Sequence, residues 1–462
     1  MKIIRRTFCA GLGGVTALAG LGLGPSLAAP APLVARKARV QLAPEGYPDT
    51  EVWSYDGTIP GPLIRVPQGA RVQRQLVNDL DEPTSIHWHG IRIDNAMDGV
   101  SGLTQDPVPP GGTFVYDFAV PDAGTFWYHA HRNSMEQVGR GLSGVLIVDE
   151  TMPPEVDGDE VLMLDDWLLD PDTGAFAAPF AQPMMMSHGG RTGNLVGVNG
   201  RYDHALTAPT GARLRLRLIN AANARIFSLR LQGMTGWTVA LDGMPLEVPE
   251  AADGAITLAP AQRVDLIVDV TATPGAAAGL LMGMNDDSWN ALVEMEVTAG
   301  RAPRGTAPAP LPANPNTARP DLAGARRLEM VMEGGAMAGL EQATYQGETL
   351  DFRGLIDRGQ FWALSGQAGL SDTPFARLDR GEVLRLGLVN QTAFPHAMHL
   401  HGMHFRQVRA DGSLGPLRDT ILSIPREPLE IVLVADNPGK WLLHCHMLAH
   451  AATGMTTWIE VA

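Results

Sequence analysis

Cysteine is nearly absent from this chain of 462 residues, which carries only Cys9 and Cys445. That excludes a disulfide framework as the source of stability. Charge is sparse as well, at 18% of residues, and leans acidic, with a formal net charge of −15. Nucleic-acid binding and a basic membrane-facing patch are therefore excluded as organising functions. Beyond the first 28 residues no apolar run is long enough to span a bilayer. Glycine (52) and proline (35) are abundant instead, which suits an all-β protein with many turns. The length leaves room for two to four domains, each with a full core.

The first 28 residues read as a targeting segment. Arg5-Arg6-Thr7-Phe8 precedes a Gly/Ala-rich apolar run, and Ser26-Leu27-Ala28 offers a small-x-small cleavage site. Paired arginines before such a run resemble a twin-arginine signal, whose export machinery carries proteins already folded. The expectation is a periplasmic or otherwise exported protein. Removal of 1–28 would discard Cys9 and take the formal charge from −15 to −18.

A single thiol in an oxidising compartment is either an inert core cysteine or a ligand. Its surroundings favour the second. The segment reads His444-Cys445-His446-Met447-Leu448-Ala449-His450, with Met455 ten residues beyond the cysteine. A thiolate, an imidazole five residues on and a thioether ten residues on are parts of a blue-copper site, trigonal His₂Cys with a weak axial Met. His444 and His446 point to the other side of the backbone, where they can serve a second metal site.

A threefold repeat organises the rest. Gly69 to Asn78, Gly211 to Asn220 and Gly381 to Asn390 share one pattern and one length, and the second alternates apolar and polar residues strictly. Each is read as a half-buried strand. The spacings of 142 and 170 residues match β-sandwich domains with insertions. The expected division is a first domain over 29–150, a second over 151–299, an extended Pro/Ala-rich linker over 300–324, and a third domain over 325–462.

The repeat also separates the copies chemically. Nine residues after each Asn stands a short strand: His87-Trp88-His89-Gly90 in the first copy, His399-Leu400-His401-Gly402 in the third, and Leu229-Arg230-Leu231 in the second. Gly124 leads by five and seven residues to His129 and His131, and Gly439 leads likewise to His444 and His446. Gly279 to Met284 is the loose counterpart in the second copy. Alternate residues of a strand share a face, so each His-x-His pair presents both rings to one place. Eight such histidines are too many for one ion, which implies a multi-metal cluster between the first and third domains.

At these motifs the chain resembles the multicopper oxidases, the family that includes laccases and cuprous oxidases. The resemblance implies an all-β fold of three consecutive cupredoxin-like Greek-key β-sandwich domains and four copper ions. It assigns the type 1 copper to His396, Cys445 and His450 with Met455 axial. The type 2 copper falls to His87 and His399. The type 3 pair falls to His89, His129, His131, His401, His444 and His446. It further implies that a small reductant gives single electrons to the type 1 site and that O₂ becomes water at the other three ions. His188, His204 and His404 receive no copper; the first two read as surface histidines, the third as structural or exposed.

The remaining expectations concern protons and substrate. Asp98 resembles the family's acid near the cluster, or is an ordinary Asp-Gly turn. Relatives often place Glu directly after the last type 1 histidine, where this chain has Ala451, so another acid or water must serve that route. Asp419 is read as a substrate-side acid beside a type 1 histidine, placed to hold a cation or a phenol hydroxyl or merely to orient the ring. A phenol-like reductant is the first expectation. Cu(I), held by Met184-Met185-Met186, is the alternative, with copper tolerance as the role. Met330, Met332 and Met337 are the only other methionines early in the third domain. A copper-free periplasmic scaffold or a plain copper-binding protein would not need this ligand set.

Overall fold

The computed structural model describes residues 30–337 and 339–462. The expected signal peptide, with Cys9, lies outside the described residues.

The three repeats become the strands Arg71–Asn78, Arg213–Asn220 and Val383–Asn390. Each follows a glycine of positive φ (Gly69 +80°, Gly211 +79°, Gly381 +87°), a turn that glycine enters without a Cβ penalty. Each ends in an asparagine used the same way three times. Its Oδ1 accepts the backbone N–H two residues on, from Leu80, Ala222 or Thr392, while Nδ2 donates to two carbonyls. The clamp closes the turn that sends the chain from one sheet to the next: in all three copies the following strand belongs to a different sheet. An earlier strand also pairs in parallel with each repeat, placing Ala35, Leu164 and Met332 opposite the three asparagines.

Two four-stranded sheets form from the first third of the chain, and a six- and a five-stranded sheet from each of the other two. The result is three consecutive cupredoxin-like β-sandwiches. Helices are few and short, and among the described residues none is long and apolar enough to cross a membrane. One apolar core runs continuously through the first and third sandwiches, from Trp88 and Tyr128 to Met398 and Leu443. The second has its own, built around Leu164, Leu216, Leu266 and Leu280. That shared core brings the two histidine-bearing sandwiches together. Residues 300–324 carry no strand or helix. They are held at intervals, as where the Asn314 side chain bonds both the N–H and the C=O of Ala123.

One expectation fails here. The strand Arg213–Asn220 is not half-buried; all eight of its residues are buried. Arg213 forks onto Asp269 at 2.6 and 2.8 Å, Arg215 bridges Asp265 and Glu150, and Arg217 pairs with Asp159 and reaches Thr125 of the first sandwich. Its polar face packs on a neighbour rather than on water, and each guanidinium meets carboxylate, the condition under which buried charge is tolerated.

Candidate metal centres

The strand Ile86–His89 pairs antiparallel with Gly124–Ala130, setting His87 opposite His129. In the third sandwich His396–Leu400 pairs with Gly439–Cys445, setting His399 opposite His444. The two ribbons meet so that His87 stacks on His401 at 3.8 Å between ring centroids, and His89 on His399 at 3.7 Å. All eight histidines of the four His-x-His pairs converge there. In the second sandwich Leu229 faces Met282, two residues short of the register that equal offsets from Gly279 would give, and neither of the paired strands carries an imidazole.

Hydrogen bonds fix which nitrogen of each ring faces inward. His87 Nδ1–H donates to the Asp98 carbonyl (2.9 Å), and His401 Nδ1–H to the Asp98 carboxylate (3.1 and 3.2 Å). His444 Nδ1–H donates to the Cys445 carbonyl (2.9 Å), and His129 Nδ1–H to the Ala130 carbonyl (3.0 Å). His399 Nδ1–H donates to the Asp419 carbonyl (3.0 Å). Two results follow. The inward nitrogens His87 Nε2, His89 Nδ1 and His399 Nε2 are buried without any partner. His401 Nε2 and His444 Nε2, both bare lone pairs, face each other at 3.2 Å. Burial, then the neighbouring imidazoles, hold His401, His444, His89, His129 and His446 well below the ordinary histidine range, so protons do not relieve that repulsion. Burial also takes His131 down to about 3. Bound metal cations satisfy such a cage; imidazole donors suit copper.

Cys445 anchors a second donor set. Its Sγ lies 3.6 Å from His396 Nδ1 and 3.7 Å from His450 Nδ1, and the two nitrogens are 3.0 Å apart. His396 Nε2–H donates to Thr392 Oγ1 (2.8 Å) and His450 Nε2–H to the His188 carbonyl (2.6 Å), so both Nδ1 atoms are again lone pairs. A thiol and two imidazoles in a buried triangle fit a trigonal copper site. Burial pushes the Cys445 thiol up to about 12 and lowers His450 to about 4. Met455 is fully buried; its N–H donates to the His450 carbonyl (2.9 Å) and its carbonyl accepts from Cys445 (3.1 Å).

This triangle lies below the surface. Its three residues are fully buried, and a cap from the second sandwich, the short helix Pro183–Ser187 followed by His188, covers it. Trp362 tilts against His450 at 4.3 Å and donates from Nε1 to the Met186 carbonyl (2.7 Å). The turn at Gly335–Met337 joins the cap through Ala336 N–H to Ser187 O (2.8 Å). Met184 and Met337 are 72% and 73% exposed on these two segments, whereas Met330 and Met332 are core residues. Thus Met184–Met186 lie beside the triangle, and His188, read as a plain surface histidine, lends it a carbonyl. His204 is half-buried in the second sandwich.

The two acids part company. Asp98 is buried beneath His87 and His401; it also precedes the Gly99 turn (φ +83°). Asp419 is not on the substrate side, contrary to expectation. It too is fully buried, but beside His89 and His399 and paired with Arg263. The reason is register: Thr420 lies opposite His399 on the adjacent strand, three residues from the His396 end. Burial opposes its ionisation, yet Arg263, His89 and His399 hold its carboxyl well below the usual range. His404 is buried rather than exposed, with neither ring nitrogen hydrogen-bonded, and burial lowers it to about 4. Beside Ala451 opens a cavity of about 640 Å³ that reaches His131 and His444; Glu82 is the carboxylate on its wall.

Sequence reasoning missed Trp362, Thr392, Arg263 and Glu82. None sits in a motif; Thr392 acts on His396 four residues away, and the other three act across contacts between segments distant in sequence.

Two family models described as multicopper oxidase match residues 37–152 and 346–462. The multicopper oxidase MmcO of Mycobacterium tuberculosis is 32% identical over 93% of this chain and 86% of its own length. The crystal structure of a multi-copper oxidase from Pseudomonas thermotolerans superposes with a TM-score of 0.81 at 36% identity, over 93% of this chain and 98% of that one. Lac15, from a marine microbial metagenome, is 41% identical with a TM-score of 0.75, over 94% and 100%. Fold and donor sets define a copper-dependent oxidoreductase. The chain belongs to the multicopper oxidase family, as a laccase-like bacterial member using four copper ions.

Proposed function

We propose that His396, Cys445, His450 and Met455 hold the type 1 copper, His87 and His399 the type 2 copper, and His89, His129, His131, His401, His444 and His446 the type 3 pair. The bound coppers supply one-electron redox chemistry and the four-electron reduction of O₂ to water. One observation carries the reading: a single residue, Cys445, puts its thiol in one donor set while its neighbours His444 and His446 belong to the other. The protein's part is to join the two sets covalently, shield the type 1 set from water, and deliver protons to the other.

Asp98 holds His87 and His401 in place and is the buried acid for proton supply. Glu82, on the wall of the cavity beside Ala451, takes the place of the glutamate that relatives carry there. Its Oε1 accepts from the amides of Gln137 and Asn133, leaving Oε2 for water in the cavity. Export by the twin-arginine route, implied by Arg5-Arg6, would carry a folded protein to the periplasm.

The electron donor is a small phenol-like reductant approaching at the cap over His450. A second reading has a specific basis: exposed thioethers of Met184 and Met337 stand on the two segments covering the type 1 set, and soft sulfur ligands take Cu(I). Oxygen uptake by copper-loaded protein, measured side by side with Cu(I) and with a phenol, decides. Uptake with Cu(I) and almost none with phenols assigns copper tolerance. Blue protein with uptake from neither overturns the small-reductant reading altogether.

A further inference from the structure

The second sandwich gives no imidazole to either donor set, yet one of its side chains lies at the larger one. Arg263 is fully buried where the three sandwiches meet. Its Nη1 donates to Asp419 Oδ1 (2.9 Å) and its Nη2 to Oδ2 (2.5 Å). The remaining hydrogens go to the carbonyls of Thr125 (3.3 Å), Ala261 (3.1 Å) and Asp242 (2.9 Å). A guanidinium so fully engaged cannot swing away.

Asp419 passes that rigidity on. Its Oδ1 accepts from Thr420 Oγ1 (2.7 Å) and from His89 Nε2 (3.3 Å), and its backbone carbonyl accepts from His399 Nδ1 (3.0 Å). His89 belongs to the first sandwich and His399 to the third. The nitrogens left over, His89 Nδ1 and His399 Nε2, are buried without partners. His89 is therefore turned to offer Nδ1, while His399 offers Nε2. Gly90, the last residue of the His87-Trp88-His89-Gly90 motif, completes the fit. Its φ is +86°, and a Cβ there would fall 2.2 Å from Arg263 Nη2 and 2.8 Å from Asp419 Oδ2. The motif's glycine leaves room for an arginine from another sandwich.

We propose that the Arg263–Asp419 pair positions the trinuclear copper centre, and that this is the contribution of the copper-free second sandwich to O₂ reduction. The proposal rests on the ligand reading given above for His89 and His399. A carboxylate on the far N–H of a ligand imidazole fixes its tautomer and ring angle. Arg263 and Asp419 are positioning residues: neither offers an atom to the metal.

The test uses the full copper-loaded chain with Asp419→Asn, Arg263→Lys and Gly90→Ala. Each is read by the blue type 1 band, the near-ultraviolet absorption of the coupled pair, the type 2 electron paramagnetic resonance signal and copper per chain. The blue band reports folding independently, because its donors all lie in the third sandwich. The expected result is an unchanged blue band with altered type 2 and type 3 signals, together with a loss of about 10- to 100-fold in cluster copper affinity or O₂ uptake. Arg263→Lys, which keeps the charge without the fork, falls between Asp419→Asn and wild type. Cluster signals and uptake within twofold of wild type in all three variants overturn the proposal. So does simultaneous loss of the blue band in all three, since the pair would then support the whole fold rather than the cluster. Wild-type protein without the cluster signals would refute the ligand reading itself, and this inference with it.

Discussion

His450 Nε2–H donates to the backbone carbonyl of His188 across 2.6 Å, so a proposed type 1 ligand of the third sandwich is held from outside by the second. Under the proposed function the donor of electrons acts at the cap that carries His188, and that cap carries methionines.

If Cu(I) is that donor, replacing Met184, Met185 and Met337 together by Leu keeps apolar bulk and removes the soft sulfurs. KM for Cu(I) is expected to rise about tenfold, which corresponds to about 1.4 kcal/mol of binding, with phenol turnover unchanged within twofold. Steady-state oxygen uptake measures both. An equal fall for both donors would mean that the sulfurs only pack the cap.

Cys445→Ser is expected to abolish the blue colour and lower copper by one ion per chain, while the near-ultraviolet absorption of the coupled pair persists. Retention of the blue band would remove the type 1 assignment. Because burial pushes the thiol up to about 12, metal loading must displace its proton. Loading of the blue site should accordingly strengthen as pH rises, by up to tenfold per pH unit for one released proton, as read by blue absorbance in a copper titration.

The two acids separate by the half-reaction they affect. Glu82→Gln is expected to slow reoxidation of the reduced protein by O₂ about 10-fold or more and to leave bleaching of the blue band by reductant untouched. Asp98→Asn should slow reoxidation more and also perturb the type 2 signal, since Asp98 holds His87 and His401 directly. Stopped-flow absorbance distinguishes the two steps. Slower bleaching in Glu82→Gln would place that residue on the wrong side of the molecule.

These effects divide along the line of what the sequence makes legible. The convergence of the histidines could be read because i, i+2 spacing in a strand sets a common face, and the Gly-to-Asn repeat supplied the strand. The cysteine's double allegiance follows from the same alternation. Asp419 could not be placed that way: three residues of register on a neighbouring strand decide whether it faces His396 or His399. Arg263, Trp362 and Glu82 depend on how whole sandwiches dock, and no local period encodes docking. The half-buried reading of Arg213–Asn220 failed for the same reason, since Arg217 reaches Thr125 of the first sandwich and Arg213 the Thr306 carbonyl of the 300–324 segment instead of water.

Acid should destabilise the metal-free protein in a defined window. Burial lowers His404 and His450 to about 4 from an ordinary 6.5, so below about pH 6.5 the unfolded chain binds protons that the folded chain refuses. Stability then falls with pH, and the loss from each ring is complete once pH passes the folded value of about 4. A shift of this size corresponds to about 3 kcal/mol per histidine. Asp419 acts lower: its folded pKa lies well below 3.8, so its stabilising share is lost only below about pH 4. Copper bound at His450 excludes the proton there, whereas His404 is no ligand. Thermal melts between about pH 7 and pH 4 should therefore slope most steeply for metal-free protein, less for copper-loaded protein, and least for copper-loaded His404→Gln. Asp419, Asp122, Arg92 and Arg263 are the charged groups around His404; the Asp419 carboxylate and both guanidiniums keep their charge across that window. Flat melting temperatures for metal-free wild type across the window would show that these histidines are not held neutral in the fold.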